Sequence, residues 1–197
     1  MKTDTRQQIA DLISNIVNPV VICIAIIVLV SFESVTGTAD AIRWSLILTG
    51  MTVLPIMLGL IYLVRKGKVT RIFTYIRQQR TIVYVIGAAF VAIGCAILYF
   101  SSAPKMLVVA FVAALIGTLI FMLINFKWKI SLHTGAISAL GAILSILYGW
   151  IGVISLVVVT LTGWARVETN HHTTAQVIGG AIMSFAIIFT VFRLFGL

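Results

Sequence analysis

Long apolar runs, separated by short polar stretches, make up most of the chain. Runs near the ~20 residues that cross ~30 Å of hydrocarbon predict helices. They fall at about 12–32, 43–64, 81–100, 104–125, 133–149, 150–165 and 173–195. The fifth and sixth are short, and Tyr148-Gly149 between them reads as a tight turn; they are two thin spans or a partly re-entrant pair, giving six to seven spans. Pro19 and Pro55 lie inside runs, where proline kinks a helix. Pro104 suits a first helical turn. Gly135 and Ala139, Ser138 and Ala142, and Ala175 and Gly179 place small residues four apart, a pattern that favours close packing of the fifth and seventh helices. The general abundance of Gly and Ala in membrane helices produces the same pattern without such packing.

Composition agrees with the pattern. Of 197 residues, 61% are hydrophobic and 10% charged, and the mean hydropathy is +1.16. A soluble domain is about half apolar and about a quarter charged, so lipid is the natural solvent here. The expected fold class is an all-α polytopic membrane protein, one domain over 1–197 with two N-terminal helices in 1–64. The start, MKTDTRQQIADLISN, is polar and amphipathic and carries no cleavable signal pattern, so the first apolar run is expected to be retained. Cys23 and Cys95 lie deep in apolar runs and read as packing residues, not a disulfide or metal pair.

Charge adds a direction. The net charge is +9. No nucleic-acid motif accompanies it, and anionic headgroups or an anionic substrate account for it better. Seven spans place Lys2, Arg6, Arg65, Lys66, Lys68, Arg71, Arg77, Arg80, Lys127, Lys129 and Arg166 on one side and Arg43, Lys105 and Arg193 on the other. The positive-inside rule makes the first side cytoplasmic, in what is expected to be a prokaryotic cytoplasmic membrane. All three histidines, His133, His171 and His172, fall on that side with Glu168. Each feature has a plainer explanation: a positive-inside loop for 65–80, a polar helix start for His133, headgroup snorkelling for Arg166. Together they bring cations and histidines to one membrane face, where ionisable groups mark function. Arginine matches phosphate oxygens in bidentate geometry, so an anionic phosphate is the natural ligand.

Spacing refines this. Arg166 is followed by five residues, His172, three residues and Gln176. His172 and Gln176, four apart at a helix start, share a face, so the amide can set the orientation and tautomer of the imidazole. That helix N-terminus also favours a phosphate. ISLH at 130–133 places Ser131 and His133 at another helix start.

These motifs resemble those of the type 2 phosphatidic acid phosphatase (PAP2) superfamily. R-x5-H-x3-Q is similar to its third motif, SR-x5-H-x3-D; ISLH is similar to its second, PSGH; RQQR-T at 77–81 resembles a reduced form of its first, K-x6-RP. The resemblance covers roughly residues 65–185. It implies a helical bundle shared with vanadium haloperoxidases and metal-free hydrolysis of phosphate esters, with no cofactor. On that basis His172 is the nucleophile that forms a phosphohistidine, and His133 protonates the leaving oxygen and then activates water. Arg166 and Arg80 hold the equatorial oxygens, with Arg77, Lys129 and Ser131 as further phosphate-binding groups. The motif departs where Gln176 replaces the Asp, Thr81 the Pro, Leu132 the Gly, and Phe73 the motif-one Lys. HHTTAQV also resembles branches of the superfamily that carry RHT-x-x-QV.

The expected function is therefore an integral-membrane phosphatase acting on a phosphatidic acid-like or isoprenoid phosphate, with lipids as partners and no nucleic acid; an oligomer is compatible but not called for. The alternative, motivated by Gln176, is a weak or inactive relative that binds or transports anionic lipids. A metal enzyme using His133, His171, His172 and Glu168 is disfavoured, because adjacent helix-start histidines diverge by about 100°. His171 is expected to support the site or meet headgroups, and Glu168 to be a loop residue or a partner of Arg166 or Arg80.

Overall fold

A computed structural model describes residues 5–71 and 76–197, so Lys2 and the motif-one position Phe73 lie outside the described residues. The described chain is helical, with no strand among its residues. Its α-helices are α1 (Thr5–Ile16), α2 (Pro19–Ser34), α3 (Thr38–Leu48), α4 (Leu54–Arg65), α5 (Arg77–Phe100), α6 (Lys105–Asn125), α7 (Leu132–Tyr148), α8 (Ile151–Glu168) and α9 (Thr174–Leu194). Six stretches are long and apolar enough to cross a membrane, and α7 is a shorter apolar helix. The protein thus has the transmembrane character that its composition implies.

The two prolines in apolar runs act differently. At Pro19 the helix stops and restarts. Pro19 has no N–H to continue the ladder, and Asn18 satisfies the ends on both sides: its Nδ2 donates to Asn15 O at 2.8 Å, and its Oδ1 accepts from Val20 N and Val21 N at 3.0 Å each. The first expected span, 12–32, is therefore two helices and begins earlier, at Thr5. Pro55 stays within a continuous helical run, and the turn before it, Thr49–Val53, widens into a π-helix. Leu54 N there donates to Thr49 O. Such π-turns accommodate a residue that cannot hold the regular ladder. Pro104 stands one residue before the expected first turn, as the N-cap of α6.

The helices group into two compact units, Met1–Cys23 with Trp128–Phe195, and Ile24–Lys127. In the second unit α5 packs along α6 and against α4 and the π-turn. Gly94 of α5 allows this: a Cβ there would lie 2.6 Å from the Phe111 ring and 2.9 Å from Thr52 Cγ2.

In the first unit α7 packs on both α8 and α9, and α1 lies on α8. The turn at Tyr148-Gly149 is tight, as its composition suggests; Gly149 takes φ 61°, a left-handed conformation. α7 is short for a physical reason. It is buried along most of its length, through His133, Thr134, Gly135, Ile137, Ser138, Ala139, Gly141, Ala142 and Ile143. The outward apolar surface of this unit includes residues of α1 (Ile9, Leu12, Ile16), α8 (Val153, Leu156, Val157) and α9 (Ile178, Ile182, Leu194). A helix enclosed by protein is not held to the lipid-facing length. Small residues do bring α7 and α9 together, though not all those expected. Ala175 is exposed, and a Cβ on Gly179 would meet the Trp128 ring at 2.7 Å. The close approach is made by Gly180, where a Cβ would lie 2.5 Å from Ser131 O. Ser138 Oγ donates to Ala181 O at 2.7 Å across the same seam.

Candidate functional site

The site is built at one end of the first unit, where α8 ends, α9 begins and the segment leading into α7 passes between them. α8 terminates on a left-handed residue, Asn170, at φ 56°. Asn170 N donates to Val167 O at 2.9 Å, and His171 N donates to Arg166 O at 3.1 Å. This pair of bonds is a Schellman cap, with Arg166 three residues inside the helix and His171 just beyond the left-handed position. His172 N also reaches Arg166 O, at 3.1 Å. The cap turns the chain back on itself, so the five-residue gap in the motif returns His172 to the level of Arg166.

α9 begins one residue later. Thr173 is its N-cap and forms a reciprocal capping box with Gln176: Thr173 Oγ1 accepts from Gln176 N at 3.4 Å, and Gln176 Oε1 accepts from Thr173 N at 3.2 Å. The backbone donor identifies the side-chain atom as oxygen and not nitrogen. That same oxygen lies 3.1 Å from His172 Nδ1.

The imidazole has a second neighbour, Lys129 O, also 3.1 Å from Nδ1. A carbonyl oxygen only accepts, so Nδ1 carries the proton and donates, leaving the lone pair on Nε2. His172 is thus held in one tautomer by two neutral acceptors. The capacity of Gln176 to reach the ring was legible from the four-residue spacing. The Lys129 carbonyl was not, because backbone groups leave no mark in the sequence.

Lys129 also reaches the site with its side chain, Nζ donating to His171 O at 2.8 Å. Two residues on, Ser131 N donates to Gln176 O at 3.3 Å, and Ser131 Oγ accepts from Thr134 N at 3.4 Å as the N-cap of α7. These bonds stitch the start of α7 to the start of α9. His133, in the first turn of α7, is buried, at 7% exposure, as is Arg166 at 6%. The structure therefore gathers Lys129, Ser131, His133, Arg166, His172 and Gln176 in the first unit.

Arg77 and Arg80 lie in the first turn of α5, in the second unit. Arg77 donates to the carbonyls of Asn125 and Phe126, at the end of α6, while Asn125 Nδ2 donates to Arg77 O at 3.1 Å. A cation on the last carbonyls of a helix is well placed for its dipole. Arg80 is buried, and its Nη2 donates to Tyr84 Oη at 3.1 Å.

The neighbouring polar residues serve local structure. Thr169 Oγ1 gives its single proton to Ala165 O at 2.8 Å, so toward His171 Nδ1, also at 2.8 Å, it accepts. Glu168 is paired with Arg6 of α1 at 2.8 Å, and Arg6 lies over the Trp164 ring; the expected partners Arg166 and Arg80 are not the ones seen in this ion pair. Among the described residues no three His, Cys, Asp or Glu side chains form a group that would hold a metal ion. Cys23 and Cys95 are free thiols. No protein-family model, no curated protein and no solved structure matches the chain.

Proposed function

We propose that the protein is a metal-independent phosphatase of the membrane, acting on a lipid phosphate or diphosphate, with His172 as nucleophile. One observation carries this reading: His172 Nδ1 faces two acceptors at 3.1 Å, which puts its proton on Nδ1 and the lone pair of the neutral ring on Nε2, the atom that would attack, in a loop capped onto Arg166. In the first step Nε2 forms a bond to phosphorus and the ester P–O bond breaks. The leaving oxygen takes a proton from His133. In the second, His133 removes a proton from water, the hydroxide attacks phosphorus, the P–N bond breaks and inorganic phosphate leaves. The Arg166 guanidinium neutralises charge on the equatorial oxygens, where electrostatic stabilisation contributes most. Ser131 supports the fold of this corner and is within the proposed phosphate-binding set. The assignment of Arg80 and Arg77 to the phosphate rests on the motif resemblance.

The amide of Gln176 changes the energetics. A carboxylate beside Nδ1 stabilises the cationic phosphohistidine by charge; two carbonyl-type oxygens do so only by their dipoles. The proposed enzyme keeps an oriented nucleophile whose cationic intermediate is stabilised by dipoles and not by a full negative charge. The charge bias of the loops supports placing the N-terminus and the site on the cytoplasmic side.

Phosphate release from a panel of phosphatidic acids and isoprenyl mono- and diphosphates tests the proposal. Wild type is expected to turn over at least one class, and His172→Ala to fall to background. A wild-type protein that binds such lipids and never hydrolyses them would refute enzymatic function and favour the anionic-lipid binder that Gln176 also suggests. Gln176→Asp separates the two: a large gain from an inert wild type marks a disabled site.

A further inference from the structure

We propose that Lys129 is a positioning residue for His172, clasping the nucleophile's loop from both ends of its own structure; this deepens the phosphatase reading above and rests on it. The peptide unit between His171 and His172 is held at both polar atoms. Its oxygen accepts from Lys129 Nζ at 2.8 Å, and its N–H donates to Arg166 O at 3.1 Å. The ring beyond it is held by Lys129 O at 3.1 Å. One lysine therefore fixes the peptide plane with its ammonium and the imidazole with its carbonyl.

The need for such a clasp follows from the local structure. The 169–173 segment is a helix-to-helix turn built on a left-handed Asn170. The His171 carbonyl lies in that turn, outside both α8 and α9. The Nζ–O contact is charge-assisted, the strong kind of hydrogen bond. It also ties the turn to the segment that enters α7, which carries His133. Motion of the 171–172 peptide would swing the imidazole away from Lys129 O and Gln176 Oε1 together, and with them the preference for a proton on Nδ1. Lys129, which the sequence places among the phosphate ligands, thereby acts on the phosphate through His172 and not by direct contact.

The test uses the full chain in lipid nanodiscs, labelled with 15N-histidine, as wild type, Lys129→Met and Lys129→Arg. His133→Gln and His171→Gln assign the three sets of ring signals. In wild type the His172 ring is expected as a single Nδ1–H tautomer with a slowly exchanging backbone amide. In Lys129→Met both tautomers should appear and the amide should exchange faster; kcat on a short-chain phosphatidic acid or an isoprenyl diphosphate should fall about 100-fold, the cost of a small misplacement, with KM near wild type. Lys129→Arg should recover both readouts in part. If Lys129→Met does not assemble, Lys129→Gln, a shorter donor, is read in the same way. An unchanged tautomer and amide exchange, or a raised KM at wild-type kcat, would overturn the proposal and return Lys129 to the phosphate. A tautomer shift in Lys129→Met alongside a wild type that hydrolyses no lipid phosphate would uphold the clasp and refute the phosphatase reading.

Discussion

Asn170 and Gln176 decide the geometry of His172 more than the adjacent His171 does. His171 is turned to Thr169 and gives its carbonyl to Lys129. Asn170 occupies the left-handed position that lets α8 end and the chain fold back. Asparagine tolerates that conformation, glycine adopts it freely, and a β-branched residue does not. Asn170→Gly is therefore expected to keep wild-type turnover and melting temperature, whereas Asn170→Val should cost about 1–2 kcal/mol of stability and lose most activity, as measured by thermal unfolding and phosphate release. A Val variant with intact turnover would show that the cap does not position His172. Part of this was legible in the letters: the His-to-Gln spacing of four puts the amide within reach of the ring, whereas the left-handed turn at Asn170 went unread. What could not be read is that His172 shares its Nδ1 proton between a side-chain amide and a backbone carbonyl distant in sequence.

Among the elements, α7 and α9 form the seam on which the site depends. The sequence marked the right pair of helices, because small residues at a spacing of four line one helical face. It marked the wrong residue on α9, since Ala175 and Gly180 stand on different faces and only packing shows which one turns inward. Gly180 lets the Ser131 carbonyl come close to α9, and a Cβ there would lie 2.5 Å from that oxygen and 2.8 Å from Thr134 Oγ1. Neither atom can withdraw without shifting the N-cap of α7, and the Ser131–Gln176 bond with it. Gly180→Ala should destabilise by about 1–3 kcal/mol and depress kcat strongly. Gly87→Ala is the contrasting case: its nearest neighbour would be Thr118 Cγ2 at 3.8 Å, so it should leave turnover unchanged and raise stability by up to about 1 kcal/mol. Equal behaviour of the two variants in thermal unfolding and phosphate release would contradict a seam set by Gly180. The break at Asn18-Pro19 escaped a hydropathy reading for a related reason: a side chain that caps both helix ends lets backbone irregularity persist within an apolar stretch.

At the scale of the molecule, composition settled the membrane class, because so few charges leave no soluble solution for so much apolar surface. Side assignment rested on loop charge; within the first unit Arg6 meets Glu168, and Lys129 meets His171. Single cysteines introduced at Gln7 and Thr174, with Cys23 and Cys95 replaced, are expected to label with an impermeant thiol reagent from one face of the membrane, and a cysteine at the exposed Trp150 from the other. Labelling of 7 and 174 from opposite faces would refute the arrangement. The central claim, that His172 is the attacking group of a phosphatase, is tested most directly by trapping its covalent intermediate. Wild-type protein quenched during turnover of a labelled lipid phosphate should carry an acid-labile, base-stable phosphate on the peptide containing His172, absent in His172→Ala. Turnover with no label on that peptide, or with the label on another residue, would contradict it.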